Sequence, residues 1–557
     1  MSSRVSTVLT VAGVTVLGGL VAYAVYFDHK RRNDIDFRKR LRKDKKRVKQ
    51  VTASQASSTA ADLGVTPEEL RAALDKLRDE EVPSDPEAKE QFFMTQVGMG
   101  EQLCAQGPMF HLPAALSFYR ALRVYPSPVE LIMIYQKTVP EPVFKIVMEL
   151  TNLDVKARVE GYFEAFPPKS MNVSVQSAPG DASKVRKILV AEKDFEAGDV
   201  IYKERPIVAV LDPDLQSKGT HCSHCLRSIQ KDMAIRPDFD RLDSVYCSKD
   251  CQVKAKIQSQ NLLFGLDPVL PTELDQGQSE LTKPARDEVQ KKFADWIKTQ
   301  DRSIPLLSAR LVARQVAVET AKMAPNKTGA LMEELKEASI GGTDYGLYDH
   351  MERLRFVDGK ASEEETKLLC SVLGAALPGL EQSVTEERLA TYHGKMAYNA
   401  LGVCYAGGRD DKPTSTKRPE EQERTRTPYG TSRQVGSGLY AVSAYIAHSC
   451  SPSARPSFSS GTSELSLVAS KPIKKGEEIT MSYVDVSQHP DESPEDARRR
   501  RRQELARGWK FRCECERCLS EATDGDESDV GVEKDESKVE DVVRRVESGA
   551  EAYLKAQ

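Results

Sequence analysis

The side chains of this chain best suited to chemistry are its cysteines. There are 11 in 557 residues, and seven of them fall in C-x2-C, C-x3-C and C-x-C-x2-C groups rather than being spread evenly. His221-Cys222-Ser223-His224-Cys225 and Tyr246-Cys247-Ser248-Lys249-Asp250-Cys251 set two pairs 21 residues apart. Four thiolates at that spacing, Cys222, Cys225, Cys247 and Cys251, can close a tetrahedral zinc site. In a cytosolic setting such spacing favours metal over disulfides. A redox C-x-x-C is the alternative use of the first pair, and His224 is the alternative ligand. Cys513-Glu514-Cys515-Glu516-Arg517-Cys518 supplies three further thiolates.

The elements that must position these groups follow a charge edge. The 23 residues from Val5 to Phe27 carry no formal charge, and Lys30 to Lys49 hold 12 Lys or Arg. At about 1.5 Å per residue the apolar run reaches roughly 35 Å as a helix, against a hydrocarbon core of about 30 Å. A transmembrane helix is predicted there. The cluster Lys30, Arg31, Arg32, Arg38, Lys39, Arg40 against lone Arg4 places residues 28–557 in the cytosol and the N-terminus on the far side. A cleaved secretory signal is the rival reading, with Ala22-Tyr23-Ala24 as its small-residue site. The run exceeds a signal core, however, and its basic flank follows it. The same basic run can meet anionic lipid headgroups, at about 1 kcal/mol per well-placed charge.

A chain of this length predicts about three domains. Residues 5–27 read as the anchor and 28–85 as basic neck and linker, with a short helix opening at Thr66-Pro67-Glu68-Glu69. Residues 86–166 read as all-helical: Phe92, Phe93, Val97, Leu103, then Ala114, Leu116, Phe118, Leu122 recur at helical spacing, broken by Gly107-Pro108 and Pro126-Ser127-Pro128. Residues 167–184 have the composition of a linker. Strand patterns begin at Lys187 to Ala191 and Val200 to Leu211, cysteine-bearing loops fill 220–255, and helical pattern dominates 285–405. Residues 409–428 are charged and Pro/Thr-rich, which predicts an exposed loop. Strand patterns return between Leu439 and Tyr483, ahead of the Arg498 to Arg502 run and the last cysteine group. The tail 521–557 is acidic and reads as disordered, with a terminal helix from Val539. The net charge of -4 hides this gradient, and charge indicates no nucleic-acid partner.

The helical stretch carries the first resemblance. Phe92-Phe93-Met94, Gly100-Glu101-Gln102-Leu103, Ala114-Ala115-Leu116 and Gln136-Lys137-Thr138-Val139-Pro140-Glu141-Pro142-Val143-Phe144 resemble the twenty-kilodalton presequence receptor of the mitochondrial TOM complex. Anchor, neck and helical domain follow in that family's order over about residues 1–155, departing from the animal pattern at the longer loop Pro108 to Leu112. The resemblance implies a single-pass outer-membrane receptor with its N-terminus in the intermembrane space, whose partners are mitochondrial presequences, other TOM subunits and outer-membrane lipid. It implies an all-α, TPR-like domain with an apolar groove of Phe93, Met94, Val97, Leu131, Ile134 and Tyr135, and with Glu101, Gln102 and Glu130 at the rim. Such a groove needs partly exposed apolar side chains beside polar ones, so groove and core share these residues.

The second half carries two more resemblances. Tyr246-Cys247-Ser248-Lys249-Asp250-Cys251-Gln252 resembles a MYND finger lacking that family's second metal site, which implies one zinc there. Gly438-Leu439-Tyr440, Ala447-His448-Ser449-Cys450-Ser451-Pro452, Lys474-Lys475-Gly476-Glu477-Glu478-Ile479 with Ser482-Tyr483, and the last cysteine group resemble a SET domain of the SMYD branch with its post-SET segment. The resemblance covers about residues 185–520: a SET domain at 185–486 with the finger inserted at 220–255 and helices at 285–405, then a post-SET zinc segment at 487–520. It makes Cys450 the fourth ligand beside Cys513, Cys515 and Cys518, for two Zn2+ sites in all. It gives Tyr483 the place of the hydroxyl beside the methyl group transferred from S-adenosylmethionine to a protein lysine, with His448, Ala447 and Asn399 at cofactor-binding positions.

Two departures weigh against that chemistry. The glycine-rich first strand of the family reads Val185-Arg186-Lys187-Ile188-Leu189-Val190-Ala191, where side chains can occlude the cofactor. The family's Asn before His-Ser-Cys is Ala447, and its Asn after the Pro is Ser453. Each buried partner left unpaired costs about 1–3 kcal/mol. The expected architecture is therefore multidomain: a transmembrane helix, an all-α receptor domain, then an α+β SET domain with an inserted zinc finger. The expected function is an import receptor carrying a SET module, and the alternative is an anchored S-adenosylmethionine-dependent lysine methyltransferase.

Overall fold

Thr66 caps the first helix, α1 (Pro67–Asp79): its hydroxyl accepts from Glu69 N–H at 3.2 Å while Glu69 Oε2 accepts from Thr66 N–H at 2.9 Å. Pro67, at the first helical position, has no N–H to leave unpaired. The structure, a computed structural model, describes residues 65–522 apart from 84–85, 126–127, 179–185, 270–277, 324–328, 341–344, 383, 415–416 and 419–420. The predicted anchor, the basic neck to residue 64 and the acidic tail from 523 lie outside the described residues. Among the described residues no helix is long and apolar enough to cross a membrane. The chain divides into two units between Val159 and Glu160.

The first unit is helical. After α1 come α2 (Pro86–Cys104), α3 (His111–Val124), α4 (Pro128–Thr138) and α5 (Glu141–Ala165). Leu70, Leu74 and Leu77 occupy one face of α1 and share a core with Ala114, Phe118, Leu131, Tyr135, Val143, Ile146 and Leu150. Two forked ion pairs tie the end of α1 to that core. Arg78 donates from Nε and Nη2 to Asp154 Oδ1 at 2.9 and 2.7 Å, and Arg120 donates to both oxygens of Glu80 at 2.7 and 2.6 Å. The stretch read as neck thus ends in a member of the core, because three leucines at helical spacing need burial.

The second unit mixes sheets and helices. Its elements are β1 (Val173–Ser177), β2 (Lys187–Ala191), β3 (Val200–Glu204), β4 (Val208–Leu211), α6 (Lys249–Ala255), α7 (Asn261–Phe264), α8 (Gln278–Thr299) and α9 (Ile304–Met323). Next come α10 (Ala330–Ala338), α11 (Leu347–Glu352), α12 (Glu363–Ala376), α13 (Glu386–Asn399), β5 (Leu401–Val403), β6 (Gly436–Leu439), β7 (Ala447–His448), β8 (Ala454–Ser457), β9 (Leu465–Ala469), β10 (Thr480–Met481), α14 (Pro494–Trp509) and α15 (Glu516–Ser520). The strands form small sheets in the orders β1-β2, β3-β9-β8, β4-β6-β5 and a parallel β10-β7 pair. Helix α9 braces β4: buried Arg310 donates to Ala209 O at 2.6 Å, and Arg314 donates to Ile207 O while pairing with Glu334 at 2.7 Å.

Two readings of the sequence are corrected here. The linker 167–184 contains β1, which pairs antiparallel with β2, Val173 opposite Ala191, because alternating Val173 and Val175 supply a buried face. The exposed loop predicted at 409–428 is not exposed throughout: Thr425, Arg426 and Thr427 are buried. Arg426 N–H donates to Ala400 O at 2.9 Å, Gly402 N–H to Arg426 O at 3.1 Å, and Thr427 N–H to Tyr483 O at 3.1 Å. Those bonds satisfy the backbone of a polar stretch that would otherwise stay in water.

One close approach is testable. A Cβ on Gly100 would meet the buried Phe118 ring at 2.9 Å. Gly100→Ala is expected to destabilise the helical unit by about 1–3 kcal/mol through overpacking, exceeding the gain of about 1 kcal/mol in helix propensity. A lowered urea midpoint is the expected readout.

Candidate functional site

Each cysteine group becomes a cluster. Ser248 caps α6 by accepting from Cys251 N–H at 3.1 Å, which turns the chain back between Cys247 and Cys251. The sulfurs of Cys222, Cys225, Cys247 and Cys251 all lie within 4.8 Å of one another, with Cys225–Cys247 and Cys247–Cys251 at 3.6 Å. The same limit holds for Cys450, Cys513, Cys515 and Cys518, where Cys450 is 3.4 Å from Cys518 and 3.9 Å from Cys513. A tetrahedral zinc with Zn–S near 2.3 Å sets sulfur separations of about 3.8 Å, so both thiol sets fit such an ion. His224 is in neither set.

The second cluster positions an aromatic group. Trp509 and Phe511, just ahead of Cys513, sit 5.4 and 6.3 Å from the Tyr483 ring, centroid to centroid. Trp509 Nε1 donates to Tyr398 O at 3.0 Å. The hydroxyl of Tyr483 donates to Ile446 O at 2.6 Å, and burial pushes it up to about 12 against the opposing pull of Arg426, so it stays a neutral donor. Arg426 is fully buried, with its guanidinium 4.3 Å from the centre of the Tyr483 ring. Sequence reasoning missed Arg426 because the charged, Pro/Thr-rich stretch around it carries no buried pattern. Trp509 and Phe511 were findable as the aromatic residues next to the C-x-C group.

In the first unit the six groove positions separate. Met94 (64% exposed) and Ile134 (43%) reach the surface, and Phe93 and Val97 are half-buried. Leu131 and Tyr135 are the members of this shared set that lie in the core. One turn apart on α4 they face inward, and Tyr135 donates to Phe118 O at 3.3 Å with its ring edge-on to Phe118 at 5.0 Å. Glu101 and Gln102 are exposed.

Residues 9–164 match the family described as MAS20 protein import receptor, and residues 186–484 match the SET domain family. The chain belongs to the MAS20 import receptor and SET domain families. It is 36% identical over 181 residues to mitochondrial import receptor subunit tom20 of Neurospora crassa, covering 98% of that protein and 32% of this chain. Identity to TOM20 of Saccharomyces cerevisiae is also 36%, over 141 residues, 75% of that protein and 25% of this chain. The second half is 24% identical over 401 residues to protein-lysine N-trimethyltransferase SMYD5 of Gallus gallus, covering 90% of that protein and 64% of this chain.

The SET domain of this chain fits S-adenosylmethionine poorly. Its cleft, lined by Arg186, Lys187, Tyr398, Arg426, Ala447 and Tyr483 among others, has an open volume of about 30 Å³. That is room for a water or two at about 15 Å³ each, against roughly 300–1,000 Å³ for ligand pockets. The groups at cofactor-binding positions are engaged internally. Asn399 Oδ1 accepts from Arg426 at 3.0 Å, and its amide donates to Arg355 O and Lys395 O at 2.6 and 2.9 Å. His448 Nδ1 accepts from Tyr483 N–H at 3.0 Å, and burial lowers the ring to about 4, leaving it neutral. Ala447 pairs with Thr480 in the short parallel ladder. In the glycine-free strand β2, Ile188, Leu189 and Val190 are buried in the fold, while Lys187 and Arg186, the residue before the strand, line the cleft.

The segment that carries Arg426 is anchored at Glu423, whose carboxylate accepts from Ser303 and Ile304 N–H at 3.0 and 3.2 Å at the start of α9. Burial pushes this carboxyl from 4.5 to about 7, against the lowering effect of those bonds. An acid whose folded value is raised contributes most below its unfolded value and loses that contribution as pH rises through the folded one. Relative to Glu423→Gln, wild-type stability should therefore fall between pH 4.5 and about 7. Urea titrations of both proteins across that range check the sign, and a constant difference would contradict it.

Proposed function

We propose that this protein is a mitochondrial outer-membrane import receptor, anchored once with its bulk in the cytosol, that recognises amphipathic presequences alongside other TOM subunits and carries a zinc-loaded SET module. The carrying observation is that the receptor half spans 98% of the Neurospora tom20 sequence, anchor-like segment included. Exposed Met94 and Ile134 support the reading: with Met99, Met109 and Phe110 they place apolar side chains on the surface of the helical unit. The basic face of a presequence would meet Glu101 and Gln102. For the full chain in lipid nanodiscs, Ile134→Asp is expected to weaken binding of an amphipathic basic presequence peptide at least fivefold without lowering thermal stability. Unchanged affinity would remove Ile134 from the groove.

The SET module is proposed to bind zinc at both thiol clusters, two ions per chain. Structural zinc contributes on the order of 10 kcal/mol in small fingers, so chelation should unfold the finger and free the segment carrying Trp509. Cys518→Ser is expected to lower the zinc content to one ion per chain and to shift Trp509 emission to longer wavelength. Elemental analysis and fluorescence read the two effects separately.

A further inference from the structure

We infer that Arg426 is a built-in occupant of the SET cleft, seated where a cationic methyl donor would have to lie, and that its side chain closes the cleft to S-adenosylmethionine. The guanidinium donates from Nε to Tyr398 O at 2.7 Å, from Nη1 to Ala444 O at 2.9 Å and from Nη2 to Asn399 Oδ1 at 3.0 Å. The Tyr483 and Tyr398 rings lie 4.3 and 5.0 Å from it. Three neutral oxygens and two aromatic faces form a cradle for a cation. Sulfonium and ammonium groups would compete for the same oxygens and the same rings. The SET resemblance gives Tyr483 the place beside the transferred methyl group, and Arg426 already covers its ring.

Arg426 is fixed in place rather than poised to leave. Its own N–H and C=O bond on either side of Leu401, to Ala400 O and Gly402 N–H at 2.9 and 3.1 Å, and Thr425 donates to Gln434 at 2.6 Å. With the backbone pinned there, swinging the guanidinium out would break its bonds to Tyr398 O, Ala444 O and Asn399 Oδ1 and leave those three buried acceptors short of a donor. The departures of the sequence from the SET pattern at Ala447 and Ser453 then follow in sense: with the cradle filled from within, no ligand asks for those amides.

The test is calorimetry on the full-length, zinc-loaded chain with S-adenosylmethionine and S-adenosylhomocysteine as probes. Wild type is expected to show no saturable binding at millimolar concentration. Arg426→Ala, with zinc content unchanged, is expected to bind at least tenfold more tightly than the wild-type limit. Arg426→Lys, which keeps a cation in the cradle, is expected to stay closed. Micromolar binding by wild type would overturn the inference, as would an Arg426→Ala protein with full zinc content and no tenfold gain. Should Arg426→Ala lose its zinc, Arg426→Gln, neutral and closer to arginine in size, is held to the same tenfold criterion, with the wild-type arm decisive on its own. None of these outcomes bears on the receptor reading, whose readout is presequence affinity.

Discussion

The short helical turn Ser443–Tyr445 is held between two buried charges, and the geometry around Tyr483 depends on it. On one side Glu204, at the end of β3, accepts from Val442 N–H at 2.7 Å, Ser443 N–H at 3.0 Å and Ser443 Oγ at 2.6 Å. Beyond it, Arg426 donates to Ala444 O at 2.9 Å. An anion meets the donors of the turn and a cation meets an acceptor, which is the favourable sense for a helical dipole. Burial pushes Glu204 up to about 6, so the bonds to the turn are what keep a carboxylate tolerable there. The chain leaving this turn supplies Ile446 O to the Tyr483 hydroxyl and then Ala447 and His448 to the ladder with β10.

The thiol clusters impose a second constraint. Four sulfurs within 4.8 Å leave little freedom to the backbone that carries them. In the finger this matters because the cluster of buried side chains is small, consisting of Ile229, Val245, Tyr246 and Ala255 beside two cysteines. A core of that size would leave much of the stabilisation to an ion bound by the thiols. At the other end, Cys450 gathers with Cys513, Cys515 and Cys518, so the aromatic residues before Cys513 are delivered to Tyr483 by the clustering of these thiols as much as by packing.

A scaffold can outlast the reaction it resembles because the two have different requirements. Sheet order and the turn at Ser443–Tyr445 are satisfied by bonds internal to the fold. Cofactor binding needs empty space and unsatisfied groups, and here Asn399 and His448 spend theirs on Arg426 and Tyr483. Stability thus favours filling such a cleft unless a ligand is selected for. The receptor half obeys the opposite logic at Met94 and Ile134, where apolar side chains remain in water.

Much of this protein was legible in its sequence. Cysteine spacing alone pointed to the finger cluster, helical periodicity to the first unit, and the cap at Thr66 to the start of α1, because each is set by neighbours along the chain. The SET string and the receptor stretch were recognisable because their residues are close in sequence. What tertiary structure decided were contacts between distant segments. Leu131 and Tyr135 look like Ile134 in one dimension, and only the packing of α4 on Phe118 turned the first two inward. Residues 423–427 looked like a solvated loop until β5 offered them a ladder and Tyr398, Asn399 and Ala444 offered a buried guanidinium its three acceptors. Local pattern fixes which groups need satisfying; which distant partner satisfies them, and so whether a cleft is left open or filled, is settled only when the chain has folded.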